Sequence, residues 1–189
     1  MKRYLGIIIA IMLTWAIPSM SYSQQYFDNN TKLDKKEKKD AREAQLLANF
    51  KAIDTLLQKG AYVLEAETLN DRYGNYVPVT STLNFIKVSS GQVVLQTGAN
   101  AAIGYNGVGG VTAEGRVSNY RVSKDEKRKT FSVFFNAMTN IGTYDIYIRI
   151  NADATAIATI TGMTRGSLTY KGNLVAPYNS RIFKGQTTI

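Results

Sequence analysis

Residues 130–150 read TFSVFFNAMTNIGTYDIYIRI, and this stretch decides the fold of the chain. Large apolar side chains stand at every second position, which is the period of a β-strand with one buried face: Phe131, Val133, Phe135, Tyr144, Ile146, Ile148 and Ile150. The positions between them carry Asp145, Tyr147 and Arg149 on the opposite face. Asn140-Ile141-Gly142 forms a short link of the kind that joins antiparallel neighbours. The stretch therefore predicts an antiparallel hairpin with a one-sided core.

The same alternation recurs on both sides of this hairpin, separated by short links rich in Gly, Asn, Asp and Ser. Eight strands are predicted, at residues 62–69, 81–88, 92–97, 112–122, 130–137, 143–150, 156–161 and 167–175. Eight strands in succession with short links indicate an up-and-down antiparallel meander. We expect an α+β, mainly β protein whose sheet is barrel-like (lipocalin-like) or strongly curved.

A helix precedes the strands, at residues 32–59, where neither Pro nor Gly occurs. Its first half is densely charged with mixed signs. Its second half carries an apolar stripe at spacings of three and four, formed by Leu46, Leu47, Phe50, Ile53, Leu56 and Leu57. Gly60 follows as a helix-terminating residue. The stripe predicts that the helix packs on the protein's own sheet, and docking on a partner is the alternative.

The N-terminus has the features of a secretory signal peptide. Lys2 and Arg3 precede a run from Leu5 to Ile17 that is almost wholly apolar, and Ser21-Tyr22-Ser23 places small residues where a signal peptidase cuts. We predict a signal peptide over residues 1–23, cleavage between Ser23 and Gln24, and a polar, disordered segment over residues 24–31. The mature chain, a single domain of helix 32–59 and barrel 60–189, is then periplasmic or secreted. No later apolar run is long enough for a transmembrane span.

Composition excludes several classes of site. The chain contains no His and no Cys, which removes the usual ligands of zinc, copper and iron–sulfur clusters and the residues of Ser-His-Asp and Cys-His catalysis. We therefore predict no metal site and no cofactor. We assign no catalytic residues, although the composition still permits catalysis by carboxylates, Ser-Lys pairs or Tyr. The formal net charge is +9, and +7 once Lys2 and Arg3 are removed, which favours anionic partners. An exported protein is not expected to meet nucleic acid.

A glycine-rich stretch at residues 104–110 is the most conspicuous motif. The strand-like residues that follow it do not form the helix that a phosphate-binding loop requires, so a loop at one end of the sheet is the better interpretation. Small ligands commonly enter barrels at such ends. Tyr105 and Asn106 in the loop are therefore candidate ligand-binding residues, together with Glu114 and Arg116 on the next strand.

Carboxylates and basic residues offer two further possibilities. Glu65 and Glu67 share one face of a strand roughly 7 Å apart, a separation also used in glycoside hydrolysis. A solvated strand face explains the pair more simply. The C-terminal quarter is basic, which fits an anionic ligand or surface, or pairing with acids elsewhere in the fold; its cations are Arg165, Lys171, Arg181 and Lys184.

Several stretches resemble an uncharacterised family of exported Bacteroidetes proteins, domain of unknown function 4251. They are GAYVLEAE at 60–67, GYNGVGGVTAEGRVSNY at 104–120, SLTYKGNLV at 167–175 and FKG at 183–185. The resemblance spans about residues 40–187. It implies an N-terminal signal, a helix and a β-rich domain, and it implies no activity and no catalytic residues.

These observations lead to three functional hypotheses. The first is a non-enzymatic periplasmic binding or carrier module for an apolar or amphipathic small ligand. The alternative is a cell-envelope interaction module that uses a basic surface to bind an anionic surface or a protein partner. A carboxylate-based hydrolase that uses Glu65, Glu67 or Glu114 is a distant third.

Overall fold

The computed structural model describes residues 22–98, 110–162 and 166–188. Contacts divide the chain into two compact units, the first ending at Glu43 and the second beginning at Ala44. The elements are helix α1 (Tyr22–Gln58), strands β1 (Ala61–Asn70), β2 (Tyr76–Pro78), β3 (Phe85–Ser89), β4 (Gln92–Thr97), β5 (Val111–Asp125), β6 (Thr130–Thr139), β7 (Gly142–Asn151), β8 (Thr155–Gly162) and β9 (Ser167–Val175), and a 3₁₀ turn η1 (Pro177–Asn179).

The sheet closes into an eight-stranded antiparallel barrel. Its strands follow the chain in the order β1-β3-β4-β5-β6-β7-β8-β9, and β9 pairs back onto β1. The predicted mainly β fold is confirmed, and of the two predicted forms the barrel is the one adopted. Closure pairs every barrel strand on both sides, which leaves no long edge for intermolecular pairing. Strand β2 is an addition that pairs with the far end of β1.

Two details of the sheet differ from the sequence-based expectation. Strand β3 begins at Phe85 and not at Ser81, because a turn closed by the bond from Leu83 N to Thr80 O occupies the preceding residues. The Asn84 side chain fixes this turn through hydrogen bonds to Thr80 O and Gly98 O, each 3.0 Å long. Strand β2 was not predicted, since three residues are too few to show an alternating pattern.

The barrel interior is a hydrophobic core built from the alternating positions. In β6 and β7 the predicted inward residues are fully buried, apart from the half-buried Tyr144. The other strands contribute Tyr62, Leu64, Ala66, Ile86, Val88, Val93, Leu95, Ala113, Ala156, Ala158, Ile160, Tyr170 and Leu174. Large side chains thus fill the middle of the barrel, as in other small eight-stranded barrels.

The second half of α1 packs against this core through most of its predicted apolar stripe, whereas Leu47 is 44% exposed. Phe50, Ile53 and Leu57 are 5%, 3% and 0% exposed. The Phe50 ring stacks on Phe131 with 4.5 Å between ring centroids, and the Tyr120 hydroxyl donates to the Leu57 carbonyl over 2.9 Å. Gly60, at φ +56°, ends the helix in the left-handed conformation that glycine adopts most easily.

The first half of α1 begins at Tyr22, earlier than the predicted start at Lys32, and includes residues 24–31, for which disorder was predicted. No Pro or Gly lies between Tyr22 and Gln58 to interrupt it. Side chains at residues 34–43 are exposed, in line with their charge.

The predicted signal peptide over residues 1–23 falls almost entirely outside the described residues. Within the described part of the chain, no helix combines the length and apolar content that crossing a membrane requires.

Candidate functional site

A groove of about 500 Å³ lies between the last turns of α1 and the neighbouring rim of the barrel. We call it the helix groove. It is lined by Asn49, Ala52, Ile53, Thr55, Leu56, Lys59, Ala154, Leu174, Val175, Ala176, Tyr178 and Asn179. The groove exists because the helix must end beside the rim before β1 begins, while η1 continues from the end of β9. Pro177 fixes the start of η1, so that Tyr178 is held at the groove edge.

The helix groove combines an apolar floor with a polar edge. Ile53, Leu174 and Ala176 are buried. Lys59 is exposed, and no carboxylate of the described residues lies within 4.0 Å of its ammonium group. Tyr178 presents a ring that is 85% exposed. An apolar chain fits the floor of such a groove, and an anionic head group fits beside the lysine.

A second, smaller pocket of about 350 Å³ opens at the opposite end of the barrel, where β1 ends and β9 begins. We call it the mouth pocket. Its lining consists of Leu69, Asn70, Asp71, Asn75, Val77, Val79, Thr97, Gly98 and Leu168. Strand β2 forms one side of this pocket, since Val77 pairs with Leu69. The filled core of the barrel separates the two ends.

Two of the four candidate ligand-binding residues, Glu114 and Arg116, line neither of these two pockets. Tyr105 and Asn106 lie outside the described residues. Glu114 and Arg116 project from the outer face of β5, since their neighbour Ala113 belongs to the core. Glu114 accepts hydrogen bonds from Lys184 Nζ (2.8 Å) and Thr187 Oγ1, and the lysine contact is the main reason that its pKa lies below the ordinary value.

The two carboxylates proposed as a hydrolytic pair also have partners within the chain. Glu65 accepts hydrogen bonds from Ser180 Oγ (2.7 Å) and Arg181 N (3.1 Å). Glu67 accepts one from Asn173 Nδ2 (3.0 Å) and lies at a break in the pairing register between β1 and β9. Hydrogen bonding to ordered partners of this kind is typical of a structural carboxylate.

Glu65 and Glu114 bind the C-terminal segment, residues 180–188, which crosses the outer face of the barrel. We call it the C-terminal strap. It runs from Glu65 on β1 to Gln96 on β4 and then to Glu114 on β5. Thr188 N reaches the carbonyl of Thr112 over 2.9 Å. One cation of the predicted basic quarter, Lys184, is thereby paired with an acid of the fold.

Sequence analysis did not select the residues of the helix groove as a site. Leu56 and Ile53 were assigned to the packing stripe, and Lys59 only marked the end of the helix. The position of Lys59 directly before Gly60 could have indicated a binding residue. A lysine at the C-terminal end of a helix has a fixed backbone and a solvent-exposed side chain. No sequence pattern indicated Tyr178 as a groove residue, since it lines the groove only because η1 lies beside residues of α1 that are distant in sequence.

Comparison with known proteins gives a family. The family model for domain of unknown function 4251 matches residues 44–174. A crystal structure of a protein of that family from Bacteroides eggerthii superposes with a TM-score of 0.60 at 30% sequence identity, covering 72% of this chain and 93% of that one. No curated protein matches this chain. The matched region contains the barrel and the docked half of α1, and the chain therefore belongs to the domain of unknown function 4251 family.

Proposed function

We propose that this protein is a non-enzymatic binding or carrier module for a small amphipathic molecule with an apolar chain and an anionic head group. The observation that carries the proposal is the helix groove, whose buried apolar floor ends beside Lys59, and no carboxylate of the described residues lies within 4.0 Å of that lysine. The residues at positions 1–23 support an exported protein that works in the periplasm or outside the cell.

The dimensions and chemistry of the helix groove support a single-chain ligand. Its volume of about 500 Å³ falls within the range of small-molecule sites. Each methylene that leaves water contributes about 0.8 kcal/mol, so that eight methylenes contribute about 6 kcal/mol before the costs of association. A carboxylate or phosphate beside Lys59 adds orientation and a modest electrostatic attraction, because the lysine is exposed.

Titration of the protein with dodecanoate in a calorimeter tests this proposal. We expect saturable binding of one dodecanoate per protein. Ala52→Trp places a large ring in the groove and should abolish the heat of binding, whereas Ala44→Trp, at an exposed position on the same helix outside the groove, should leave it unchanged. Binding that is equal in both variants, or absent from the wild type, would overturn the proposal.

The head-group contact has its own control. Lys59→Gln should weaken dodecanoate binding several-fold and leave the binding of dodecanol unchanged. Lys51→Gln, an exposed lysine of the same helix that does not line the groove, should affect neither ligand. Equal losses for both ligands in Lys59→Gln would show that the lysine does not contact the head group.

An envelope interaction module is the second candidate, favoured by a cationic face on the outside of β5 to β9. Arg121 stacks over Phe134 at 5.7 Å, and Arg149 and Lys171 flank Ile157 in adjacent strands. None of these cations pairs with a carboxylate of the described residues. Anionic vesicles should bind this face at low salt and release it at high salt, and Arg149→Gln should weaken that binding. Vesicle binding that does not respond to salt would dismiss this candidate.

A further inference from the structure

We propose that the outer face of β7 binds an acidic sugar residue of a polysaccharide. Asp145, Tyr147 and Arg149 stand at alternate positions of this strand and are exposed, whereas Ile146 and Ile148 between them are buried in the barrel. Alternate residues of a strand follow one another at roughly 7 Å, so the three side chains form a line on one face. We call these three residues the β7 platform. The inference rests on the envelope interaction module proposed above, whose partner it names.

The Tyr147 ring lies along the sheet and leaves one of its faces open to solvent. Its hydroxyl donates a hydrogen bond to Ser132 Oγ over 3.1 Å. Ser132 pairs with Arg149, so it stands diagonally across from Tyr147 on the neighbouring strand β6. A ring held at its far end in this way cannot project away from the sheet. Because Tyr147 is still 47% exposed, the ring face turned away from the sheet is accessible, and the C–H groups of a sugar stack on such an electron-rich face.

The two ends of the β7 platform carry opposite charges, which select a ligand with both a carboxylate and hydroxyl groups. No carboxylate of the described residues lies within 4.0 Å of the Arg149 guanidinium group. This planar group pairs with a carboxylate through two parallel hydrogen bonds. At the other end, Asp145 accepts a hydrogen bond from Asn136 Nδ2 and has further lone pairs for sugar hydroxyls. A sugar acid stacked on Tyr147 therefore meets a partner at each end.

The strands beside the β7 platform provide contacts for a chain of such sugars. Arg149 pairs with Ile157 of β8, and Ile157 pairs with the exposed Lys171 of β9. Neighbouring strands lie about 4.8 Å apart, which places the backbones of Arg149 and Lys171 roughly 10 Å from each other. A second acidic sugar of the same polymer can therefore pair with Lys171. Thr159 and Thr161 add hydroxyl groups to the outer face of β8 between the two cations and Asp145.

An anionic bilayer fits this face less well than an acidic sugar. Burial in a bilayer requires apolar side chains that reach past the lipid head groups, whereas the hydrogen bond to Ser132 keeps the Tyr147 ring along the sheet. Asp145 would also face the negative charge of the lipids. Anionic vesicles are therefore expected to bind through Arg149 and Lys171, by charge alone, and not through Tyr147.

Titration of ¹⁵N-labelled protein with trigalacturonate and with the neutral trisaccharide galactotriose tests the inference. We expect amide shifts at residues 145–149, with trigalacturonate binding about ten-fold more tightly, the factor expected for one hydrogen-bonded pair of charges. Absence of trigalacturonate binding, equal affinities for the two probes, or shifts confined to other parts of the barrel would overturn the proposal.

Two pairs of variants assign the roles within the β7 platform. Tyr147→Leu removes the stacking face and should weaken trigalacturonate binding several-fold, whereas Tyr73→Leu, at an exposed tyrosine in the turn between β1 and β2, should leave it unchanged. Arg149→Gln should reduce the preference for the acidic trisaccharide, whereas Arg128→Gln, at an exposed arginine in the turn between β5 and β6, should keep it. Unchanged affinity in Tyr147→Leu would contradict the stacking role of this ring.

Anionic vesicles distinguish a failure of this inference from a failure of the envelope interaction module. Tyr147→Leu should bind vesicles as well as the wild type, because the cations of the face are kept. Salt-sensitive vesicle binding without trigalacturonate binding would overturn the acidic sugar and leave the module standing, and absence of both would overturn both. Loss of vesicle binding in Tyr147→Leu would assign the ring to a lipid surface and overturn the proposal.

Discussion

Gln96 Nε2 donates a hydrogen bond to the carbonyl oxygen of Phe183 over 2.8 Å, and so joins two residues that lie 87 positions apart. The same side chain donates to Leu83 O and accepts from Gly185 N and Thr112 Oγ1. Gln96 is fully buried although it projects from the outer face of β4. The C-terminal strap therefore covers this face, and the Gln96 amide holds it there together with Glu65, Glu114 and the bond from Phe183 N to Thr82 O.

Replacing Gln96 should loosen the strap, because two of its contacts are lost. Gln96→Leu removes four side-chain hydrogen bonds within a buried network, so we expect the free energy of unfolding to fall by about 2–4 kcal/mol. Urea denaturation measures this loss, and limited proteolysis should show earlier cleavage within residues 180–188. Gln92→Leu, at an exposed position of the same strand, is the matched control and should change stability little. Equal stability of the two variants would show that the amide does not hold the strap.

The contact between Glu114 and Lys184 should make the strap sensitive to acid. Hydrogen bonds from Lys184 and Thr187 lower the pKa of Glu114 below its ordinary value of 4.5. A lowered pKa in the folded state contributes stability above the unfolded pKa, and this contribution is lost as the pH falls from about 4.5 through the folded value. Glu114→Gln should therefore flatten the dependence of stability on pH below 4.5, measured by urea denaturation between pH 6 and pH 3. The same slope in wild type and variant would assign the acid sensitivity to other groups.

Barrel closure should depend on Gly172, where β9 meets β1. A Cβ atom there would lie 1.9 Å from the Glu65 carbonyl oxygen and 2.9 Å from Ala66 Cα, both of which belong to the backbone. Since the backbone of a paired strand cannot move aside, Gly172→Ala should destabilise the fold by at least about 3 kcal/mol. Gly166→Ala, where the added carbon meets no atom within 4 Å, should be close to neutral in the same urea measurement. A stable Gly172→Ala protein would contradict the register of the β1–β9 pairing.

Two buried tyrosines should make the protein sensitive to alkali. Burial raises the pKa of Tyr170 and of Tyr62 well above the ordinary value of 10, and the nearby Tyr120 hydroxyl adds to the effect at Tyr62. A raised tyrosine pKa stabilises the folded state below the unfolded pKa, and the stability is lost as the pH rises above 10. Phenolate absorbance at 295 nm from these residues should appear only together with the loss of near-UV circular dichroism. Tyr170→Phe should weaken the pH dependence, and full ionisation in a protein that is still folded would rule out this burial.

The sequence predicted the barrel well where one face is core and the other is solvent. The alternation in β6 and β7 was enough to predict both strands and their inward residues. A one-residue shift in the pairing of the strands would expose all of their apolar side chains. Closure between β1 and β9 was not predictable, since it depends on a register between strands that are far apart in the chain. The break in register near Glu67 was also not predicted, because an extra residue in a strand gives no local sequence signal of its own.

The candidate site was less accessible to sequence reasoning. Residues such as Glu65 and Glu114 looked chemically versatile, yet their partners come from a strap that follows them by 70 positions or more along the chain. The helix groove is assembled from α1, β9 and η1, and its apolar members have the same pattern as ordinary core residues. These groove residues differ from core residues because neighbouring elements cover them only in part. Only the three-dimensional arrangement of the elements shows this difference.

Native mass spectrometry on the protein isolated from its own organism tests the central claim most directly. We expect the wild-type protein to carry an added mass the size of a single-chain amphipathic molecule, which is lost on denaturation. Ala44→Trp should carry the same added mass, and Ala52→Trp should not, because its side chain occupies the helix groove. Bare protein in all three samples, or the same added mass in both variants, would contradict the account.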